Sequence, residues 1–285
     1  MQQNFEYTIK ENSIYIEAYK GKEGTLFVPE SIEGYPVQTI GKKAFLGNRM
    51  LRNVYLPKTV CVAEDWAFSH CINLRRIEFA NENVVLQKNV LMGCNALERI
   101  KYGGADNDAL LAVAYGILSD NDLLRKESAT WYEMLDEKTE HFLSINDADG
   151  FEGLWTFGEE DYSEQKFDKN LFCRERRMKK CELVFHRLIK SDYLTEERKQ
   201  NYMDYLKCRT VGCETEEAFL IIEETYKNEP DFYRTLIAAG GITDANRLTI
   251  LSRMKNFSPE VRSLVMESKG SLKGNTFFDD ILSGL

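Results

Sequence analysis

The chain has 285 residues, of which 43% are hydrophobic and 29% charged, and its formal net charge is −9. That length suits two domains of ordinary size. The acidic excess argues against a nucleic-acid partner, because neutralising phosphates requires a clustered basic surface. No window approaches the roughly 18 uninterrupted apolar residues that a membrane span needs, so we expect no membrane partner.

The amino-terminal residues predict a β-hairpin followed by a short strand. Apolar residues alternate with others over residues 5–9 and again over 14–16, and the polar residues 11–13 separate the two segments. A further extended segment follows at Thr25–Pro29. No basic stretch followed by an apolar run opens the chain, a pattern that favours a cytoplasmic location.

Residues 44–102 contain a repeat with a period of 23 residues. Segments 51–56, 74–79 and 97–102 read LRNVYL, LRRIEF and LERIKY, and each follows an Ala-Phe pair or its Val-Leu equivalent. A fixed period in the twenties is typical of a stacked solenoid. In each segment the fourth and sixth residues should point inward, because side chains alternate along a strand. The pattern predicts three parallel strands in one sheet.

These segments resemble the BspA-like type of leucine-rich repeat. The phrase Ile40-Gly41-Lys42-Lys43-Ala44-Phe45, the run from Leu51 to Pro57 and the entry phrase 32–40 carry the resemblance, which covers residues 5–102. It implies a short β-solenoid over residues 1–104. In that fold Thr25–Pro29 is a partial first rung, and the hairpin caps the open end.

Two of the seven cysteines, Cys71 and Cys94, follow Asn48 at the same position of the repeat. In leucine-rich repeats this column holds a small polar residue that bonds the loop backbone, so the resemblance implies a structural ladder. Parallel strands lie about 4.8 Å apart, which puts the two cysteines within reach of a disulfide. In a reducing compartment we expect free thiols.

Beyond Gly103-Gly104, a predicted hinge, apolar residues recur every three or four positions over 110–118 and 131–142. This spacing predicts helices and therefore an all-α domain over residues 105–285. A third helix is predicted over 168–190, with the basic cluster 174–180 near its start. Thr195 is expected to cap a fourth helix.

The last ninety residues contain a weaker repeat of 29 residues, in which Pro230 aligns with Pro259. Each unit is predicted to be a helix hairpin, with Ser258 capping one helix and Thr243 starting the helix before it. The arrangement is similar to ankyrin-like helical repeats, although the T-P-L-H-x-A signature is absent. This half also resembles a helical domain of uncharacterised bacterial proteins. The predicted fold class is α+β, a leucine-rich-repeat solenoid followed by helix hairpins.

Acidic residues concentrate between Thr139 and Gln165, where no Lys or Arg occurs. The alternative hypothesis is a metal-binding protein or metal-dependent hydrolase that uses the acidic 147–161 segment. An EF-hand is excluded, because a loop with Gly150 at its sixth position has Ile145 and Thr156 where carboxylates are required. The simpler interpretation is that Glu159, Glu160 and Asp161 pair with the basic cluster 174–180.

The sequence contains no recognisable catalytic motif. His70, His141 and His186 are the only histidines, none of them in a known catalytic phrase, and no phosphate-binding glycine motif is present. The basic cluster 174–180 is better explained as a solvated helix face than as a phosphate site. We therefore expect no enzyme activity, no cofactor and no bound metal.

The preferred hypothesis is a protein-interaction module whose partner is unknown. Outward positions of the four rungs form one exposed face, and aromatic residues and arginines are the types that anchor interfaces. The candidate residues are Thr25, Phe27, Asn53, Tyr55, Arg76, Glu78, Arg99 and Lys101. A structural segment of a self-assembling protein is a third possibility, and the oligomeric state is not predicted.

Overall fold

The computed structural model describes residues 4–103, 109–118, 128–151 and 168–268. The chain forms two compact units, residues 1–131 and 132–285. The predicted hinge at Gly103-Gly104 falls partly outside the described residues, since Gly104 is not among them. The domain limits 1–104 and 105–285 stay a prediction.

Short strands build residues 5–102 of the first unit, and they form two sheets. The strands are β1 Phe5–Lys10, β2 Ser13–Tyr19, β3 Thr25–Phe27, β4 Ser31–Ile32, β5 Tyr35–Ile40, β6 Asn53–Leu56, β7 Val62–Ala63, β8 Arg76–Phe79, β9 Val85–Leu86 and β10 Arg99–Tyr102. One sheet has the order β10-β8-β6-β3 and the other the order β1-β2-β5-β7-β9, with β4 beside β5. The two sheets are the two sides of a β-solenoid.

The four-stranded sheet confirms the predicted rungs. Its strands pair in parallel with an unbroken register, so that Val54 lies beside Ile77 and Ile77 beside Ile100. The inward residues of the three full rungs are buried, whereas their neighbours reach the surface. The first rung is β3, which pairs with β6 as the partial copy predicted at Thr25–Pro29.

The amino-terminal hairpin is confirmed as a cap on the second sheet. Strands β1 and β2 pair antiparallel, and β2 continues the sheet by pairing in parallel with β5. The turn consists of Glu11 and Asn12, whose φ angles of 48° and 60° match the left-handed conformation that a tight hairpin turn requires. The hairpin therefore covers the edge of β5 that would otherwise be open.

The cysteine column forms the predicted structural ladder. Asn48 Oδ1 accepts hydrogen bonds from the amides of Met50 and Leu51 in its own loop. The Cys71 thiol donates to the Phe45 carbonyl at 3.1 Å, and the Cys94 thiol donates to the Phe68 carbonyl at 3.2 Å. Both cysteines are free thiols. The contact with Cys71, together with burial, raises the pKa of Cys94.

Eight helices occur in the described residues: α1 Ala109–Ala114, α2 Ala129–Ser144, α3 Lys169–Ile189, α4 Glu196–Lys207, α5 Glu217–Glu224, α6 Pro230–Ala238, α7 Arg247–Arg253 and α8 Pro259–Glu267. The predicted helix over 168–190 is confirmed as α3, which Asp168 caps. Thr195 caps α4 by accepting the Arg198 amide, as predicted. The first helix is shorter than the apolar pattern indicated, because it ends at Ala114 and residues 115–117 form a turn.

The 29-residue repeat is confirmed as two helix pairs, α5–α6 and α7–α8. Of the two predicted helix starts, the one at Thr243 is wrong and the one at Ser258-Pro259 is confirmed, with Ser258 at the N-cap position. Helix α7 begins at Arg247 and not near Thr243, because Asn246 Oδ1 binds the Thr243 amide and holds residues 243–246 in a turn. Helix α8 does begin at Pro259, but the Ser258 side chain makes no capping bond, and the Ser258 amide donates to Asn228 Oδ1 instead.

Candidate protein-interaction face

The interaction face is defined as the outward side of the four-stranded sheet. Its eight residues lie in two rows that cross the strands in register. One row holds Thr25, Asn53, Arg76 and Arg99, and the other holds Phe27, Tyr55, Glu78 and Lys101. All eight are exposed or half-buried, so the structure brings the predicted residues together on one surface.

The first two rungs form an aromatic end of this face. The rings of Phe27 and Tyr55 stack with their centroids 4.5 Å apart and their planes 8° from parallel. Phe27 is 65% exposed, which is unusual for a large apolar side chain that already has one stacking partner. Beside the rings, the Asn53 amide donates to the Thr25 hydroxyl at 3.1 Å. This end therefore presents apolar surface next to hydrogen-bonding groups.

The last two rungs form a charged end. Lys101 Nζ lies 3.5 Å from Glu78 Oε1, which is an ion pair between residues directly opposite on β8 and β10. Arg76 and Arg99 are also directly opposite one another, but neither guanidinium has a hydrogen bond or an ion pair within the part of the chain that the structure describes. Two cations next to each other repel, so this juxtaposition does not stabilise the sheet.

The metal hypothesis gains no support from the acidic segment. Asp147 forms ion pairs with Lys180 at 2.7 Å and with Arg177 at 3.6 Å, so its carboxylate is already neutralised. The acidic residues of this segment that lie outside the described residues are Glu152, Glu159, Glu160 and Asp161. Across residues 4–103, 109–118, 128–151 and 168–268, no group of three or more His, Cys, Asp or Glu side chains is placed to hold a metal ion.

The basic cluster on α3 has partners within the helical unit. Arg174 pairs with Glu224, and Arg177 pairs with Glu217 at 2.8 Å. Lys180, which is buried, also donates to the Ile145 carbonyl at 2.6 Å, near the end of α2. The predicted pairing with Glu159, Glu160 and Asp161 cannot be followed, since those residues lie outside the described ranges. Through Arg174, Arg177 and Lys180 the cluster tethers neighbouring segments of the helical unit.

A buried network of hydrogen-bonded side chains in the helical unit was not predicted from the sequence. His186 Nε2 lies 3.0 Å from the Tyr226 hydroxyl, which donates to Glu182 Oε1 at 2.6 Å. Burial lowers the pKa of His186 to about 4 and raises the pKa of Glu182. The four-residue spacing of Glu182 and His186 places both on one helix face and was the available signal. Tyr226 and Phe232 enclose the imidazole, which is packed as a neutral ring.

His70 and Cys71 do not form a nucleophilic pair. The Cys71 thiol is buried and bonds to the Phe45 carbonyl, whereas the exposed His70 imidazole binds the Ser69 hydroxyl at 2.8 Å. The φ angle of His70 is 57°, as at other turn residues of the solenoid such as Lys43 and Trp66. Both residues therefore have structural roles in the repeat.

Comparison with known proteins agrees with this geometry. Residues 25–107 match the model of the BspA type leucine rich repeat region, with six copies. The amino-terminal part is therefore a leucine-rich-repeat region of this type, a family whose members generally act as non-enzymatic binding modules. The match includes every strand of the interaction face and stops at residue 107, so no family model supports the resemblance of the helical part to ankyrin-like repeats.

Several solved bacterial leucine-rich-repeat proteins are similar to part of the chain. A leucine-rich-repeat protein of T. pallidum is 29% identical over 36% of this chain and 49% of its own, with a TM-score of 0.35. A leucine rich cell surface protein of Faecalibacterium prausnitzii is 22% identical over 36% of this chain and 31% of its own, with a TM-score of 0.32. The chain thus spans half or less of the length of these relatives. A search of curated proteins found no match.

Within the described ranges, no helix combines the length and the apolar character that crossing a bilayer requires.

Proposed function

We propose that the chain is a protein-interaction module that binds its partner on the interaction face. The observation that carries the proposal is the register of the four rungs, which gathers on one sheet a stacked aromatic pair and two arginines that have no acidic partner among the described residues. Aromatic residues and arginine are the side chains that most often dominate binding energy at interfaces. Presenting them on paired strands keeps the ordering cost of binding low.

The face is better suited to binding than the second sheet. The outward row of the second sheet, along β2, β5, β7 and β9, holds Tyr15, Thr39, Val62 and Val85 and contains no arginine. In that row Tyr15 donates to Glu64 at 2.6 Å and lies beneath the Lys10 ammonium, so its polar group is occupied internally. Among the described residues, the row on the four-stranded sheet differs from this one in its exposed phenylalanine and its two arginines without an acidic partner.

A pull-down from extract with two matched double variants tests the proposal. Tyr55→Ala with Arg76→Ala removes one anchor from each end of the face. Arg49→Ala with Val85→Ala serves as control, because both side chains are exposed and lie outside the face. We expect the face variant to lose a partner that the control retains. A partner held at full strength by the face variant would contradict the proposal.

A further inference from the structure

The arginine pair is costly to the fold as it stands. Arg76 and Arg99 occupy directly opposing positions on β8 and β10, and parallel strands are about 4.8 Å apart. Like charges directly opposite one another on neighbouring strands repel and are destabilising. Neither guanidinium has an acidic partner among the residues that the structure describes. A fold that needed only stability would gain from a neutral residue at either position.

The repulsion is confined to the arginines, because the remaining charges of the face are matched. Glu78 and Lys101 neutralise one another at 3.5 Å. Just beyond the face, the exposed Arg75 lies 3.4 Å from Glu98. The face therefore carries two uncompensated positive charges on a chain whose formal net charge is −9. A local excess of this sign, opposite to that of the whole chain, selects for anionic groups.

The chemistry of the two arginines indicates which kind of anionic ligand the face can bind. A guanidinium donates two parallel hydrogen bonds to a carboxylate. Two adjacent guanidiniums can therefore bind two carboxylates, or share one carboxylate between them. In the neighbouring row, Tyr55 lies one rung from Arg76 and Phe27 lies two rungs from it, and the two rings offer apolar contact surface. A ligand matching both ends must carry negative charge and apolar groups within a few residues, which describes a protein segment better than a polyanion.

We propose that the interaction face binds an acidic protein segment, with its carboxylates on Arg76 and Arg99 and an apolar side chain against Phe27 and Tyr55. This inference rests on the proposed function, which it deepens by stating the chemistry of the partner. The Glu78 carboxylate disfavours a nucleic-acid backbone at the same place, because it would lie against phosphates. It is compatible with a peptide whose amide groups and occasional basic side chains bond to it.

The test is selection of peptides from a displayed random library on the full chain. The affinity of individual selected peptides is then measured for the wild type and for three variants whose thermal unfolding has been checked. Arg76→Gln with Arg99→Gln removes the two free charges, and Arg49→Gln with Lys88→Gln removes two exposed charges outside the face. Phe27→Ser with Tyr55→Ser removes the aromatic end, and it reports whether a peptide uses the face at all.

We expect the selected peptides to be enriched in Asp and Glu relative to the unselected library. Their affinity should fall about tenfold or more on the arginine variant and stay unchanged on the charge control, since arginine is enriched among the residues that dominate binding energy at interfaces. It should also weaken in about 1 M salt, where the screening length is about 3 Å.

The alternative outcomes separate this inference from the proposed function. Peptides that need Phe27 and Tyr55, yet show no acidic enrichment or bind the arginine variant as they bind the wild type, would overturn the inference and leave the proposed function standing. Peptides indifferent to every face variant, or the recovery of none, would count against both.

Discussion

The two units of the chain differ in what their charged side chains contact. In the helical unit, the buried Arg187 donates to both Asp136 oxygens at 2.7 and 3.0 Å, and Lys180 pairs with Asp147. On the interaction face, Arg76 and Arg99 lie side by side without an acidic partner in the described residues. In the helical unit these charged side chains form internal ion pairs, whereas on the interaction face the two arginines are available to a partner. Binding is therefore best sought on the solenoid.

The helical unit illustrates how a buried charge is compensated. Arg187 also donates to the backbone carbonyls of Lys190 and Asp192, and Tyr202 donates to Asp136 at 3.2 Å. The network joins α2, α3 and α4. Taking these ions out of water costs several kcal/mol each, so the full set of hydrogen bonds is needed to hold them.

The largest effect is predicted for Arg187→Met, which leaves Asp136 charged and buried. We expect the free energy of unfolding to fall by about 3–5 kcal/mol, measured by urea denaturation. The double change Arg187→Met with Asp136→Leu should recover much of that loss, because an apolar pair replaces the ionic one. A loss below about 1 kcal/mol for the single change would show that the pair is not sequestered.

The next effect is a pH dependence caused by His186. Its pKa is lowered to about 4 in the folded chain from 6.5. Between these values the unfolded state binds more protons, so stability is full above pH 6.5 and is lost as the pH falls toward 4. The size is about 3 kcal/mol, at about 1.4 kcal/mol for each pH unit.

The variant His186→Gln isolates this effect. The pKa of the neighbouring Glu182 is raised by burial, and a raised carboxyl pKa acts with the opposite sign. The quantity to measure is therefore the difference between wild type and variant in unfolding free energy, from neutral pH to pH 4. Parallel curves for the two proteins would mean that His186 is solvated.

A smaller effect is predicted for the ion pair within the face. Glu78→Gln removes the partner of Lys101 across β8 and β10. Opposite charges directly across a sheet contribute about 0.2–1 kcal/mol, and both side chains here are partly exposed. We expect a loss within that range in urea denaturation, and the loss should shrink in high salt. A loss that is independent of salt would point to packing.

The smallest effect, and the one of interest for binding, is predicted for Arg76→Gln. Removing one of two repelling cations should leave the free energy of unfolding unchanged or raise it by a few tenths of a kcal/mol. The changes in unfolding free energy caused by Arg187→Met and by Arg76→Gln therefore compare an arginine with an internal partner in one unit with an arginine without one in the other. A clear destabilisation by Arg76→Gln would reveal a structural partner for this arginine and would weaken its assignment to binding.

The solenoid was predictable because its information is local and repeated. Alternation along each strand sets which side chains point outward, and the 23-residue period sets which of them are neighbours. The opposition of Arg76 and Arg99, and that of Glu78 and Lys101, follow from the register alone. The stacking of Phe27 on Tyr55 depends on ring orientation, which the pattern does not specify.

The helical unit was predictable only in part, since its decisive contacts are distant in sequence. Arg187 and Asp136 are 51 residues apart, and nothing in the local pattern links them. The predicted start near Thr243 failed for a similar reason. Asn246 bonds to the Val211 carbonyl from another part of the unit, and this tertiary contact decides where the turn ends and α7 begins.

Hydroxyl-radical footprinting of the chain, alone and in complex with the partner obtained by pull-down, tests directly whether the partner binds on the interaction face. Phe27 and Tyr55 should lose reactivity in the complex, while the exposed Tyr193 of the helical unit keeps its own. Unchanged labelling of Phe27 and Tyr55 in a fully formed complex would show that the partner does not bind on the interaction face.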